Sequence, residues 1–185
     1  GRLNYSILSR YLFTATIRED ASSRFSKANR WGFFPSVAFA WNVAEESFLK
    51  GSDAVSALKL RLGWGRTGQQ DIGSDYYPYM ARYEESSSIS MKYYLGNGYY
   101  TTLAPQKYNP NLKWETTETY NLGLDFGFIN DRITGSLEGY YRYTYDLLNE
   151  ISTPLGSNFG NSIISNIGNM ENKGVELSLN VIPVE

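Results

Sequence analysis

Residues Thr119 to Tyr141 read TYNLGLDFGFINDRITGSLEGYY and alternate apolar and polar positions almost without a slip. Tyr120, Leu122, Leu124, Phe126 and Phe128 fall on one face; Asn121, Gly123, Asp125 and Gly127 fall on the other. Ile129, Asn130 and Asp131 interrupt the pattern, and Arg132 opens its return. Ile133, Leu137 and Tyr141 then oppose Thr134, Ser136 and Glu138. A period of two over this length is the mark of strands, and the short interruption makes them a hairpin. The same alternation predicts strands at Arg2–Leu8, Tyr11–Arg18, Pro35–Asn42, Leu58–Gly65 and Gly174–Val181. With the hairpin this gives seven strands and an all-β fold class.

The connections alternate in length. Leu8–Arg10 and Ile129–Arg132 are tight and Val43–Ala57 is intermediate, with one helical turn expected at EESFLKG. Glu19–Arg30, Arg66–Thr117 and Leu147–Lys173 are long. In an up-and-down sheet every long connection then lies on one side. The Arg66–Thr117 stretch is far longer than the structureless loops compact domains tolerate. An extra hairpin there, around YYPYMARY and MKYYLGNGYY, keeps the parity and predicts β-structure above the sheet.

Within these strand windows the apolar face carries no charge, whereas the other face holds Arg18, Lys59, Arg61, Asp125, Glu138, Arg142 and Glu176. Two architectures fit. In a soluble β-sandwich the apolar face points inward. In a transmembrane barrel it points outward to lipid, and the polar face lines a lumen. Aromatic placement favours the barrel. Tyr11, Trp41 and Phe128 sit towards the tight-turn side; Trp64, Tyr120, Tyr141 and Tyr143 sit towards the long-loop side. Aromatic belts flank an aliphatic band at the two interfaces of a membrane.

Composition narrows the chemistry. The 185 residues carry a formal charge of −2, which points to no nucleic-acid partner. Without cysteine or histidine there is no disulfide framework and no thiolate or imidazole metal ligand. No metal or cofactor is expected. Sixteen tyrosines suit strands, membrane interfaces or sugar-binding surfaces. No apolar run reaches the roughly 20 residues of a membrane helix, but membrane strands need none. Gly1 opens inside a strand pattern and Glu185 follows another, so both ends read as interior to a longer chain.

Catalytic signals are weak. Glu19–Asp20 and Glu45–Glu46 are adjacent carboxylates, not a pair facing across a cleft. The Glu45–Glu46 pair suits a helix start. The glycines of GWGRTGQQDIG lack the Lys-Ser/Thr of a phosphate loop. Gly63, Gly65, Gly123 and Gly127 on the polar face suit sheet curvature or close packing. No catalytic residue is assigned and no enzyme is expected. The best ligand or partner contacts are the loop tyrosines Tyr76, Tyr77, Tyr79, Tyr83, Tyr99, Tyr100 and Tyr108, whose rings can stack on a ligand. The plainer reading packs these rings within the loop or against a covering partner.

Four blocks resemble the SusC/RagA-type TonB-dependent outer-membrane transporters. They are RYLFTATIREDASSRFSKANRWGFFPSVAFAWNVAEESF, LKLRLGWGRTGQQDIG, NPNLKWETTETYNLGLDFGFINDRITGSLEGYYRYTYDLL and NIGNMENKGVELSLN. They cover most of the chain in family order; Ala21 replaces a usual glycine in what reads as a loop. The resemblance implies a barrel of about 22 antiparallel strands with a plug domain. It further implies a SusD-like surface lipoprotein, energy from TonB, uptake of glycans or peptides, and the outer membrane of a Gram-negative bacterium of the Bacteroidetes. Residues 1–185 then form part of a single barrel domain in the C-terminal half of such a protein, about a third of its strands, with the plug outside this chain. The alternative function is that of a soluble β-sandwich carbohydrate-binding module.

Overall fold

A computed structural model describes residues 1–73, 75–154, 156–157 and 160–183. Among the described residues thirteen strands run in chain order. They are β1 Arg2–Ile7, β2 Tyr11–Ala21, β3 Trp31–Asn42, β4 Val55–Gln69, β5 Tyr83–Glu85, β6 Tyr93–Leu95 and β7 Gly98–Tyr100. The rest are β8 Leu103–Pro105, β9 Glu115–Phe128, β10 Ile133–Tyr145, β11 Leu148–Ser152, β12 Ser162–Asn166 and β13 Asn169–Val181. Seven form one antiparallel sheet, ordered β1-β2-β3-β4-β9-β10-β13. This meander is the seven-strand order the alternation predicts. The sheet stays open, with β1 and β13 as its edges.

The register keeps the faces apart. Leu60 pairs with Leu124, which pairs with Leu137, which pairs with Leu177. One residue on, Lys59 pairs with Asp125, and Asp125 with Ser136. A slip of one residue anywhere would exchange the faces, so the agreement fixes the register. No second sheet covers the apolar face among the described residues. Leu62, Leu122 and Leu137 lie on internal strands and remain 44%, 54% and 42% exposed. A β-sandwich would bury these side chains, and the sandwich alternative falls on that point.

Strands run beyond their predicted ends, mostly towards the long loops. β4 continues to Gln69, and β9 begins at Glu115. Ala21, expected in a loop, ends β2 and pairs with Trp31. The extensions also correct the uncharged face. Arg66 and Glu118 lie in register on the same face as Trp64 and Tyr120, and Arg66 Nη2 donates to Glu118 Oε1 at 2.6 Å. Glu171 and Lys173 stand opposite Tyr143 and Tyr141 on that face. The apolar band therefore ends at Trp64, Tyr120 and Tyr141, and charge takes over above it.

The expected extra hairpin is present but starts later. Only Tyr83 of YYPYMARY is in a strand; β5 pairs with β8, and β6 with β7, closing on Gly96–Asn97. Gly96 has φ +64, which suits the first position of a two-residue hairpin turn. A second hairpin, β11–β12, fills the β10–β13 connection. The helical turn near EESFLKG is a short 3-10 turn at Val43–Glu45, followed by a Lys50-to-Glu46 backbone bond.

Candidate functional site

The buried core lies at the long-loop end of the sheet, where loop residues pack on Phe34 of β3. Phe25 from the β2–β3 loop and Leu112 from the β4–β9 loop are fully buried. They pack with Phe34 and Trp114, and Leu148 and Ile164 of the β11–β12 hairpin close the cluster. The Trp114 ring centroid is 5.4 Å from that of Phe25 and 5.3 Å from that of Phe34. Three connections, distant in sequence, thus share one apolar centre.

The sheet makes room for it. β3 pairs with β4 only from Ser36 to Asn42, while β9 follows β4 up to Gln69. Above Ser36 the β3–β4 ladder ends, one residue from Pro35, which has no N–H to donate. The Phe34 ring occupies the gap, lying against both Gly32 and Gly68, with Trp114 beside it. A Cβ at either glycine would overlap that ring.

Polar side chains stitch the same loops. Trp114 Nε1 donates to Arg30 O at 3.1 Å, and Asn29 Nδ2 donates to Leu112 O at 3.1 Å. Asn166 accepts from Lys113 N at 2.9 Å and donates to Lys113 O at 2.8 Å and Asp146 O at 2.9 Å. Lys107 Nζ donates to Glu150 Oε1 at 2.6 Å, and this ammonium, with the Ser162 hydroxyl, holds the Glu150 carboxyl below its ordinary value. Asn109 Nδ2 bonds Ile164 O at 2.9 Å. An exposed lysine–glutamate pair adds little alone; a network on one buried core fixes loop geometry.

The candidate tyrosines fall into two groups on this platform. Tyr76 and Tyr77 are exposed beside the β2–β3 loop; the Arg24 guanidinium lies 5.4 Å from the Tyr76 ring and donates to Asp71 and Gly73 O. Tyr79 is half-buried in the same segment, next to buried Pro78. Tyr83, Tyr99 and Tyr100 stand exposed on the β5–β8 hairpin. Tyr108 is half-buried between that hairpin and the core segment. The sequence reading left out Tyr93 and Tyr94, which face Tyr100 and Tyr99 across the β6–β7 pair. It also missed Arg24 and the whole loop core. A signal existed: Leu112 and Trp114 are large apolar residues in a polar loop. Their partner Phe34 pairs with Arg18 on the polar face of β3, so a large ring there breaks the alternation and was a further signal.

On the polar face, Arg61 bridges Asp125 and Glu138. Its Nε and Nη2 reach the two Asp125 oxygens at 2.9 and 2.7 Å, and Nη2 also reaches Glu138 Oε1 at 2.5 Å. The guanidinium lies directly over Gly123, so that glycine is explained by close packing. Glu138 also stands in register with Glu176, and pairing to Arg61 offsets that like-charge juxtaposition. At the turn side, Glu46 Oε1 accepts from Tyr11 Oη at 2.6 Å and Trp41 Nε1 at 3.1 Å; Oε2 accepts from Arg10 at 3.1 Å. These bonds hold the Glu46 carboxyl below its ordinary value. Glu46 is thus a clasp between turns rather than a helix-start charge. Neither carboxylate group forms an acid–base pair across a cleft, and among the described residues no cluster has metal-ligand composition.

The chain is 55% identical over its whole length to "TonB-dependent receptor SusC" of Bacteroides thetaiotaomicron, covering 18% of that protein. It is 41% identical to "TonB-dependent receptor P3" of Formosa agariphila, over 97% of this chain and 17% of that protein. Among solved structures, the RagAB peptide importer in its "closed-closed" state superposes with a TM-score of 0.81 at 31% identity, covering 96% of this chain and 18% of that one. The chain therefore spans under a fifth of the relatives it matches. Residues 1–181 match the TonB dependent receptor-like β-barrel family, and the chain belongs to that family.

Proposed function

We propose that this chain is a wall segment of an outer-membrane transporter that imports glycans or peptides with TonB-supplied energy and a SusD-like lipoprotein. The observation that carries the reading is the sheet's exposed aliphatic band, bounded by aromatics at both ends and facing a polar, charged opposite side. Lipid is the solvent that makes such a face stable. The edges β1 and β13 then pair with neighbouring strands of the complete barrel, since an open edge is not viable in lipid. In that barrel residues 1–185 belong to one barrel domain, the plug comes from elsewhere in the protein, and Arg61, Asp125 and Glu138 line the lumen. Nothing in this assembly calls for enzymatic chemistry.

The loop platform is the substrate- or lipoprotein-facing part, with Tyr76, Tyr77, Tyr79, Tyr83, Tyr99 and Tyr100 as its contacts. The likeness to a TonB-dependent receptor, SusC, and to the RagAB peptide importer supports a receptor or importer, and RagAB supports peptide as one of the two cargo classes. The test is a single cysteine at Ser87, in the complete transporter, in intact cells that lack the lipoprotein. An impermeant maleimide should label it. Removal of Glu84–Asn97 should then leave barrel assembly intact and weaken uptake or lipoprotein association. Lack of labelling contradicts the topology; unchanged uptake and association after trimming contradict the role given to the hairpin.

A further inference from the structure

Every connection on the tight-turn side presents one exposed apolar side chain. Leu8 in the β1–β2 turn is 75% exposed, Phe48 in the β3–β4 connection 70%, and Ile129 in the β9–β10 turn 51%. Polar residues would serve these turns at lower cost. Leu8 and Ile129 also sit at φ +52 and +55, the left-handed region that disfavours bulky and above all β-branched residues. Strain of that kind persists only where the surroundings enforce it.

The surroundings here are rigid. Asn42 N donates to Arg10 O at 2.7 Å, and Asn42 Nδ2 donates to Ser9 O at 3.0 Å. With the Glu46 clasp, these bonds join the β1–β2 and β3–β4 connections into one platform. The β9–β10 turn is fixed to the end of the β3–β4 connection and the start of β4: Ile129 N donates to Ala54 O at 3.1 Å, and Ser56 Oγ donates to Asp131 Oδ1 at 2.6 Å. Hydrogen bonds therefore link all three connections.

We infer that this turn-side rim is a membrane-docking surface, with Leu8, Phe48 and Ile129 inserted at the headgroup–acyl boundary of the adjacent leaflet. The inference rests on the lipid-facing reading of the sheet. Continuity identifies the occupant: Leu8 follows Ile7, and Ile129 follows Phe128, both on the band, while Phe48 lies two residues from the Glu46 that grips the belt residues Tyr11 and Trp41. The rim sets Arg10, Lys50 and Arg132 against Glu45, Glu46, Asp53 and Asp131, with Arg10–Glu46 paired at 3.1 Å and Lys50–Glu45 at 3.5 Å, so it carries no excess of positive charge. Attraction is thus apolar, to the acyl boundary, rather than electrostatic, to anionic headgroups.

The experiment uses the complete transporter, free of other cysteines, in phosphatidylcholine vesicles. Nitroxide labels are placed singly by Leu8→Cys, Phe48→Cys and Ile129→Cys, with Leu124→Cys as a band control and Ser87→Cys as a loop control. Collision with oxygen and with a water-soluble nickel chelate reports depth. The expected result is a depth at the three turn sites between the two controls, unchanged by adding anionic lipid. Turn sites as nickel-accessible as Ser87, with Leu124 still oxygen-accessible, would overturn the docking and spare the lipid-facing sheet. Turn sites shielded from both reagents would mean a protein cover and would also overturn it. A nickel-accessible Leu124 would overturn the lipid-facing sheet itself. Should Ile129→Cys block assembly, the exposed Leu8 and Phe48 sites carry the same test.

Discussion

Leu112 and Leu122 lie ten residues apart in one connected stretch, yet Leu112 is fully buried and Leu122 is 54% exposed. The two leucines mark two ways of removing apolar surface from water. Leu112 sits with Phe25, Phe34 and Trp114, in a core assembled from three connections and the long-loop end of β3. Leu122 belongs to a sheet whose apolar face has no protein against it among the described residues. The loop region obeys the rules of a water-soluble domain: close packing around a buried centre, and paired buried polar side chains apart from Arg30 Nε and Arg82 Nε. The sheet obeys those of a bilayer, with backbone bonds closed between strands and apolar side chains pointing out. A TonB-dependent receptor barrel must satisfy both solvents within one chain. The boundary between them is visible where Trp64 and Tyr120 give way to Arg66 and Glu118.

If the contrast is correct, truncation should hurt the loops most. Trp114→Ala removes the ring shared by Phe25 and Phe34 and should cost about 3–5 kcal/mol of loop stability, as large-to-small changes in packed cores do. Hydrogen exchange in the complete protein should show lost protection around Arg30, Leu112 and Ile164, with the sheet amides unchanged. Leu122→Ala, facing lipid, should leave loop protection as it was. A smaller effect is expected at the β3–β4 gap. Gly68→Ala places a methyl where the Phe34 ring lies and should cost about 1–3 kcal/mol through overpacking. Gly63→Ala, with only one side-chain carbon at 3.8 Å from the added methyl, should be tolerated.

The smallest effect concerns pH at the turn side. The Glu46 carboxyl is held below its ordinary value of 4.5 by Tyr11, Trp41 and Arg10. A carboxyl depressed in the folded state stabilises it fully above the ordinary value, and that stabilisation is lost as pH falls through the lower folded value. Exchange protection of the Asn42 amide should therefore drop in acid, below about pH 4.5. Glu46→Gln should reduce that protection at neutral pH and flatten its acid dependence. An identical acid profile in the variant would exclude the clasp as its source.

Period-two alternation made the sheet legible because lipid and lumen impose opposite demands on successive residues. Tyr120 to Phe128 could be placed face by face, and the register bears this out. The resemblance of blocks such as NPNLKWETTETYNLGLDF to transporter sequences was equally readable. Strand ends were less so, because charged pairs such as Arg66–Glu118 look like loop residues when the partner strand is unknown. The loop core was not legible. Phe25, Phe34, Leu112 and Trp114 come from three separate segments with no shared period, and only folding brings them together. Glu46 was misread for the same reason, since its partners Tyr11 and Arg10 lie 35 and 36 residues away. The tyrosines were recognisable by type, but the grouping of Tyr76 with Arg24, and of Tyr99 with Tyr94, needed the fold.

The central claim is that successive residues of β9 meet two different solvents, and one paired substitution in the complete transporter tests it directly. Leu124→Arg should destabilise the folded barrel by about 2–4 kcal/mol, as for a cation placed near the midplane of a lipid-facing strand. Asp125→Asn, on the lumen side, should cost much less, even though it weakens the bonds to Arg61. The readout is reversible denaturant unfolding in lipid vesicles. A large loss at Leu124 with a small one at Asp125 is the predicted result. Equal losses at the two positions, or a larger one at Asp125, would contradict the account.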